Sequence, residues 1–435
     1  MDLTDTSLTA TRITRKTRPA SFSVGADICV VGAGISGISA AVEAARLGRS
    51  VVLLDALPRL GGQAVNGIIG TFAGLLSNGP DPYRLTYGIA TDILRDLGAT
   101  GDLHLRRRHN TVMYDEGALS RWIEATVDEL GITVVLNAVV RSASFADRRV
   151  RSLEVATRYG DVRVSATGFV DASGDAAVAW HAGLDCREVG AGTVYGSQKI
   201  VLENVDETGY PSLEELRAAL RESGDRYGVR RKDGLANLFP GRGTVTLNIG
   251  HIETPLHPLQ MSERAREGRQ DAARVIAFLK GEFPGTFGRA RVKAAGLLGI
   301  RQTRWIVGRD QLTTAAVLDA RRPADAVART GWGVELHNEV ETSIWEPLPE
   351  GHVHYVPFGA QVPPGADNLV AAGRCIDGDV AALSSVRVMG PCIATGAAAA
   401  HALDLAGDGS VHEIEIARLQ ERVADNLTRA DPYRP

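Results

Sequence analysis

The chain has 435 residues, with 48 Lys+Arg against 52 Asp+Glu for a formal net charge of −4; 44% of it is apolar, 23% charged and 5% aromatic. Such apolar content excludes disorder for the bulk of the chain, the balanced charge and few aromatics argue against a nucleic-acid platform, and no apolar run reaches the roughly 18–20 residues of a membrane span. Glycine is the outlier: there are 48, where a share of roughly 7% is usual, and without collagen-like spacing or Gly/Ser linkers the excess should mark backbone positions with special demands.

Residues 1–23 read as a flexible leader, because Pro19-Ala20-Ser21 stands where an export signal would place its apolar stretch. The apolar run 27–31 is a strand. Ile35, Ile38, Ala41, Val42 and Ala45 then recur at helical spacing up to Gly48, and 50–54 is a second buried strand ending at Asp55. Between the first strand and the helix lies Gly32-Ala33-Gly34-Ile35-Ser36-Gly37. A G-x-G-x-x-G that follows a strand, opens a helix and is followed by an acid at the end of the next strand is a dinucleotide fingerprint. Gly32 permits the tight turn, Gly34 lets the backbone approach a pyrophosphate, Gly37 permits close helix–strand packing, and Asp55 accepts from ribose hydroxyls. The helix N-terminus offers free N–H groups and a positive dipole end to phosphate.

Leu119, Trp122, Ile123, Thr126, Val127 and Leu130 make an amphipathic helix, capped by Gly131 and followed by a strand at 132–136. Short alternating strands fill 139–170. From 185 to 355 the pattern changes to helices at 211–222 and 258–280 among irregular apolar segments. Val189-Gly190-Ala191-Gly192 reads as a glycine-rich turn. A buried strand returns at 368–373, a helix spans about 389–405, and Ile416, Leu419, Val423 and Leu427 mark a last amphipathic helix. The economical reading is α/β. A discontinuous Rossmann-type domain (24–184 and 356–410) carries an inserted α+β substrate or cap domain (185–355), and a C-terminal helix (411–435) closes the chain.

The four cysteines, Cys29, Cys186, Cys375 and Cys392, form no C-x-x-C pair. That argues against a disulfide framework or zinc ribbon and fits a reducing cytoplasm. Cys375 and Cys392 suit small buried apolar roles. His251, His257, His352 and His354 show no metal-ligand spacing, so no metal site is expected.

Further motifs carry a resemblance. The fingerprint, Asp55 and the pair Gly61-Gly62 before Gln63 together resemble the glutathione-reductase-like flavoproteins, which hold FAD extended. Ser173-Gly174-Asp175, after the 168–171 strand end, looks like a further cofactor-supporting element of those families. Residues 299–308 (GIRQTRWIVG), His337, Tyr355-Val356-Pro357 and Gly373-Arg374 through Asp379 to Arg387-Val388-Met389 are similar, in order, to blocks of the FAD-dependent oxidoreductase family. That family is related to the fumarate reductase and succinate dehydrogenase flavoproteins, and the likeness covers roughly 20–408. Trp305, Asp377 and Glu335 stand where the family often has Arg, Ser and Asp.

The resemblance implies FAD held by Gly32, Gly34, Ile35, Ser36, Gly37, Asp55, Gly61, Gly62, Gln63, Val139, Ser173, Gly174, Asp175, Gly373, Arg374 and Asp379. The covalent-flavin histidine of some relatives has no counterpart near Gly61-Gly62, so the FAD should be non-covalent. For the reaction, Arg301 and Arg304 would share one face of a helix as an oxygen clamp. His337 is the first candidate for general acid–base work, with Tyr355 and Arg387 behind it. The expectation is an FAD-dependent dehydrogenase or reductase that moves a hydride between flavin and a small polar organic substrate, which the arginines favour as an anion. The alternative is a flavoprotein using FAD structurally or for isomerisation or dehydration. The partners expected are the substrate and an electron acceptor that the sequence does not name, with no nucleic acid and no membrane.

Overall fold

The computed structural model describes residue 12, residues 22–190 and residues 192–434, the side chain of residue 235 excepted. The leader read at 1–23 therefore lies largely outside the described residues, and 22–23 already belong to the first strand, Phe22–Val31. That strand is followed by the helix Ile35–Arg46 and the strand Val51–Asp55. Both strands carry unbroken apolar runs because both faces are covered. Ile28, Val30, Val51 and Leu53 pack into one core. Cys29, Val31, Val52 and Leu54 pack into another on the opposite face.

The main sheet has seven strands. Phe22–Val31 is central and pairs in parallel with Val51–Asp55 on one side and with Gly160–Asp171 on the other. Thr133–Leu136 continues the parallel order beyond Val51–Asp55. The N-terminal half of Gly160–Asp171 pairs antiparallel with Arg149–Thr157, which pairs in turn with Val139–Ala146. Its C-terminal half, Phe169–Asp171, pairs in parallel with Leu369–Ala371. One strand thus serves both a hairpin extension and the late return of the chain. The long helix Met389–Ala406 lies buried against the first helix. Gly396 permits this approach, since an added methyl would overlap the Ser36 carbonyl, and Ser39 Oγ donates to the Ile393 carbonyl at 2.8 Å.

A second sheet is antiparallel, in the order Leu235–Phe239, Thr244–Glu253, Tyr195–Glu203, Arg291–Ala295. Pro258–Glu282 packs across it. Ile200, Leu202, Leu247, Phe278 and Phe287 form its separate core. The helix expected at 211–222 is Leu213–Ser223, with Ser212 and Glu215 forming a capping box.

The last expected helix is broken into Ile416–Arg422 and Asp425–Thr428, yet Leu419, Val423 and Leu427 all remain in the core. Anchoring contacts such as Gln420 Nε2 to the Ala324 and Ala326 carbonyls fix this segment against its neighbour. No single helix among the described residues is long and apolar enough to cross a membrane.

Candidate functional site

Three backbone segments meet at the C-terminal ends of the parallel strands. Gly32 sits at φ +99° and donates its N–H to Leu54 O at 2.7 Å. Asp55 Oδ2 accepts from Ala33 N at 2.5 Å, and Oδ1 accepts from Leu57 N at 2.7 Å. Burial raises the Asp55 pKa, and these backbone donors oppose the rise. Asp55 therefore clips the glycine loop before it offers anything to a ligand. Gly61 N donates to Ala33 O at 2.8 Å, which brings the glycine pair alongside. Gly62, at φ +47°, presses on Gly34: an added methyl would come within 2.6 Å of Gly34 Cα. Above Gly34 itself a methyl would meet nothing within 4 Å. The loop is packed below and open above, as a phosphate cradle needs to be.

The open side faces one cavity of about 1020 Å³. Small-molecule sites span roughly 300–1,000 Å³, so this one has room for a dinucleotide and a second ligand. Of the residues expected to hold the cofactor, Gly32, Gly34, Ile35, Ser36, Asp55, Gly62, Gln63, Val139, Ser173, Gly174, Asp175 and Arg374 line it. Val139 is an apolar side chain 52% exposed on this wall. Gln63 Oε1 and Arg374 Nη1 are buried there without a hydrogen-bond partner. A buried polar atom left unpaired costs free energy that a ligand can recover. The open cradle and these two orphaned groups fit an extended FAD.

Four of the expected cofactor residues do not line the cavity. Gly37 and Gly61 act one layer beneath it: a methyl on Gly37 would overlap the Gly32 carbonyl, and one on Gly61 would overlap Val65. Gly373, at φ +64°, packs where a methyl would lie 2.5 Å from Ser36 Oγ, and its N–H donates to Thr395 Oγ1 at 3.1 Å. Asp379 caps the helix Val380–Val386, accepting from Ala382 N at 2.8 Å and from Thr314 N at 2.6 Å. Both its oxygens are spent on joining backbone segments. Arg387, Val388, Met389 and Cys392, at the N-terminus of the long helix, do line the wall, and its dipole favours negative charge there.

The expected arginine clamp is corrected. Residues 301–303 are irregular and Arg304 begins the strand Arg304–Ile306, so the two arginines do not share a helical face. Arg304 pairs with Glu188, Nε to Oε1 at 2.8 Å, and stacks on Trp180 at 3.8 Å, off the cavity. Tyr355 is also off it, covered by the Arg322 guanidinium at 5.0 Å. It packs against the main core instead. Cys375 and Cys392 are both free and buried. Cys375 Sγ accepts from Gly174 N at 3.1 Å, and burial pushes the Cys392 thiol up to about 12.

Arg301 and Arg387 do line the cavity, joined by Lys199, Glu335 and His337. Arg301 donates to Tyr195 O and Ser197 Oγ, each at 2.6 Å. Arg387 donates to the Glu335 carbonyl at 3.1 Å, and Lys199 Nζ to Ile69 O at 2.7 Å. All three cations spend their donors on neutral oxygens, and none makes a carboxylate ion pair among the described residues. Burial, then Arg301, lowers the Lys199 pKa to about 7. Burial and then Arg387 depress Arg301.

His337 is wedged in a chain: Nε2 lies 3.1 Å from Glu335 Oε1, and Nδ1 lies 2.9 Å from His251 Nε2. Burial works against the Glu335 charge, but His337, Arg387 and Arg301 outweigh it and hold the carboxyl well below its usual range. Burial first, then Arg301, lowers His337 to about 3, and burial with Arg231 lowers His251 to about 2. The tautomers follow. Glu335 is a carboxylate, so neutral His337 donates from Nε2 and accepts at Nδ1 from His251 Nε2–H. The bare His251 Nδ1 is indeed buried without a partner. Both His337 nitrogens are engaged, so Glu335 is the member of the chain free to meet a ligand.

Lys199, Arg231 and Glu335 were not singled out as reactive from sequence. Lys199 had a signal, as the one charged residue inside the apolar strand run 195–202. Asp377, one of the family departures, is buried and pairs with Arg187 at 2.9 Å while accepting from Gly308 N at 2.9 Å.

A model of the FAD dependent oxidoreductase family matches residues 27–423, and the chain belongs to that family. It is an FAD-dependent enzyme. No curated protein matches it. Among solved structures it is similar to a geranylgeranyl bacteriochlorophyll reductase-like protein from Thermoplasma acidophilum (12% identity, 93% of this chain, 84% of that one, TM-score 0.44). A flavin-dependent brominase is similar at 12% identity, with 92% and 83% covered and a TM-score of 0.44. p-Nitrophenol 4-monooxygenase from Pseudomonas putida is similar at 13%, with 93% and 84% covered and a TM-score of 0.41.

Proposed function

We propose that this FAD-dependent oxidoreductase transfers a hydride between a small anionic organic substrate and non-covalently held FAD. Residues 24–184 and 356–410 would carry the cofactor, and 185–355 would supply most of the substrate wall. The flavin supplies the hydride acceptor or donor, and the chain supplies binding, orientation and proton handling.

The observation that carries the reading is the set of three unpaired cations, Arg301, Arg387 and Lys199, on the cavity wall by the long helix's N-terminus. Buried charge is costly unless it is compensated; Glu335 offsets part of the charge on all three, and an anionic substrate offsets more. A guanidinium suits a carboxylate, since two N–H groups match its two oxygens.

Glu335 is the group for the proton. In the free site Arg301 and Arg387 depress its pKa. An anion seated on those arginines cancels part of their field, so substrate binding itself raises Glu335 toward the basicity a proton acceptor needs. His337 and His251 hold Glu335 in place by the hydrogen-bonded chain. They are positioning residues.

Anaerobic incubation of the FAD-loaded protein with hydroxy acids, amino acids, alcohols and neutral amines tests this, with flavin bleaching as the readout. An anionic compound should bleach it. Arg301→Gln should raise the concentration needed at least ~10-fold, the loss of one charge-assisted hydrogen bond. Bleaching by neutral alcohols alone, with Arg301→Gln indistinguishable from wild type, would refute the reading.

A further inference from the structure

The cationic lining does not stop at Arg301 and Arg387. Arg106, Arg108 and Arg217 line the same cavity. Arg106 ends the strand Leu103–Arg106, Arg108 stands on the turn just beyond it, and Arg217 projects from the helix Leu213–Ser223. Two distant parts of the chain, the 103–110 segment and the helix Leu213–Ser223, therefore bring three guanidinium groups to one cavity.

None of the three makes a carboxylate ion pair among the described residues. Arg108 Nε reaches only the neighbouring His109 ring at 3.1 Å. Arg217 reaches only the Asp233 carbonyl, at 3.5 Å, and its Nε is buried without any partner. Elsewhere in this chain arginines beside acids do pair, as Arg242 does with Asp102 at 2.7 Å. Burial lowers the Arg106 pKa and Arg108 lowers it further. Arg108 in turn is lowered by burial and by Arg217. Like charges crowd one another here, Glu335 offsets only part of the charge on Arg106, and a further anion placed among the three guanidiniums relieves the rest.

The backbone is held to present them. His109 and Asn110 sit at φ +58° and +44°, a left-handed conformation that costs a non-glycine residue free energy. Asn110 Nδ2 donates to Ser77 O at 2.9 Å and Gly79 O at 2.8 Å, and the His109 ring lies edge-on to Trp345 at 4.8 Å. These contacts impose the turn that directs Arg108 along the cavity wall.

We propose that Arg106, Arg108 and Arg217 form a second anion subsite for a phosphate-type dianion, so that the substrate carries one anionic group at the flavin end and a phosphate at the other. Three unpaired guanidiniums exceed what a single carboxylate neutralises, and phosphate oxygens accept from several planar N–H forks at once. The inner anionic group rests on the hydride-transfer reading; the phosphate subsite stands on Arg106, Arg108 and Arg217 alone.

The test is calorimetric titration of FAD-loaded protein with inorganic phosphate at constant ionic strength, with chloride as the control anion. In parallel, the visible flavin spectrum is followed during acetate titration. Wild type should bind phosphate. Arg108→Gln and Arg217→Gln should each weaken that binding at least ~10-fold while leaving FAD content and the acetate-induced flavin shift unchanged. Arg301→Gln should abolish the acetate shift and keep phosphate binding at Arg106, Arg108 and Arg217. Phosphate binding by Arg108→Gln and Arg217→Gln at wild-type affinity overturns the subsite, as does no phosphate binding by wild type. If these three arginines bind phosphate but no small anion shifts or bleaches the flavin, the subsite stands and the hydride-transfer reading falls.

Discussion

Two alanine substitutions in the same glycine loop should have opposite consequences. Gly34 precedes the first helix at φ −69° and ψ 176°, a conformation open to alanine, and a methyl there meets nothing within 4 Å. In the free protein Gly34→Ala should therefore change stability little. Loss of backbone freedom in the unfolded chain contributes ~0.4–1 kcal/mol in its favour, and alanine is worse than glycine at a helix N-cap by about the same amount. The methyl does occupy the space that a pyrophosphate needs in order to reach the N–H groups of Ile35 and Ser36. Losing one or two charge-assisted hydrogen bonds at ~1.5–3 kcal/mol each predicts FAD binding weakened ~10²-fold or more. At Gly37 a methyl would overlap the Gly32 carbonyl, so Gly37→Ala should destabilise the free protein by ~1–3 kcal/mol or more and lose FAD as a consequence. Thermal melts of the FAD-free proteins, with FAD titrations followed by fluorescence quenching, separate the cases. If Gly34→Ala retains wild-type FAD affinity, the pyrophosphate does not lie over this loop and the site assignment is wrong.

Arg304→Ala removes an ion pair with Glu188 and a stack on Trp180 outside the cavity. It should cost about 0.5–1 kcal/mol in a denaturant melt and leave the rate of substrate-driven flavin bleaching as in wild type. Asp377→Ala leaves Arg187 and Gly308 N without their buried acceptor. A fall in thermal midpoint with full FAD occupancy is expected, since these contacts lie off the cavity. Acidification should destabilise the protein. His251, His337 and His354 are lowered to about 2, 3 and 3, mainly by burial, so between those values and ~6.5 the unfolded chain binds more protons than the folded one and stability falls with pH. Melts at pH 7 and pH 5 check this, and an unchanged midpoint would contradict the buried neutral histidines. Lys199 makes a different prediction. Its pKa of about 7 means that acetate affinity at the inner cations should weaken as pH rises through 7, and Lys199→Met should flatten that profile.

Much of the fold was legible in the sequence because its signals are local. A strand that is apolar on both faces, a glycine loop, a helix and an acid at the next strand's end lie within 27–55 and need no distant partner to be recognised. Gly34, Gly62 and Asp55 do meet at the loop their spacing implies, because the tight turn and the close approach are backbone requirements, with Asp55 spending its oxygens on the Ala33 and Leu57 N–H groups. The same reasoning placed Gly37, Gly61, Gly373 and Asp379 on the cofactor. None of the four lines the cavity, since pattern alone does not distinguish a glycine that borders a cavity from one that lets two segments touch.

The reacting end was less legible. Arg301 and Arg304 are three residues apart, and only a helix would have put them side by side; an irregular segment leading into a strand sends one to the cavity and the other to Glu188 and Trp180. Lys199, His251 and Glu335 lie on three different strands or loops, and their relation exists only once the second sheet is formed. Sequence by itself determined the cofactor class and the parallel α/β frame, because both are written in backbone demands over short spans. Only the tertiary structure decided which cations go unpaired, which histidine nitrogens are spent and which carboxylate faces the cavity. Those properties arise from burial and from charges brought together across long stretches of chain.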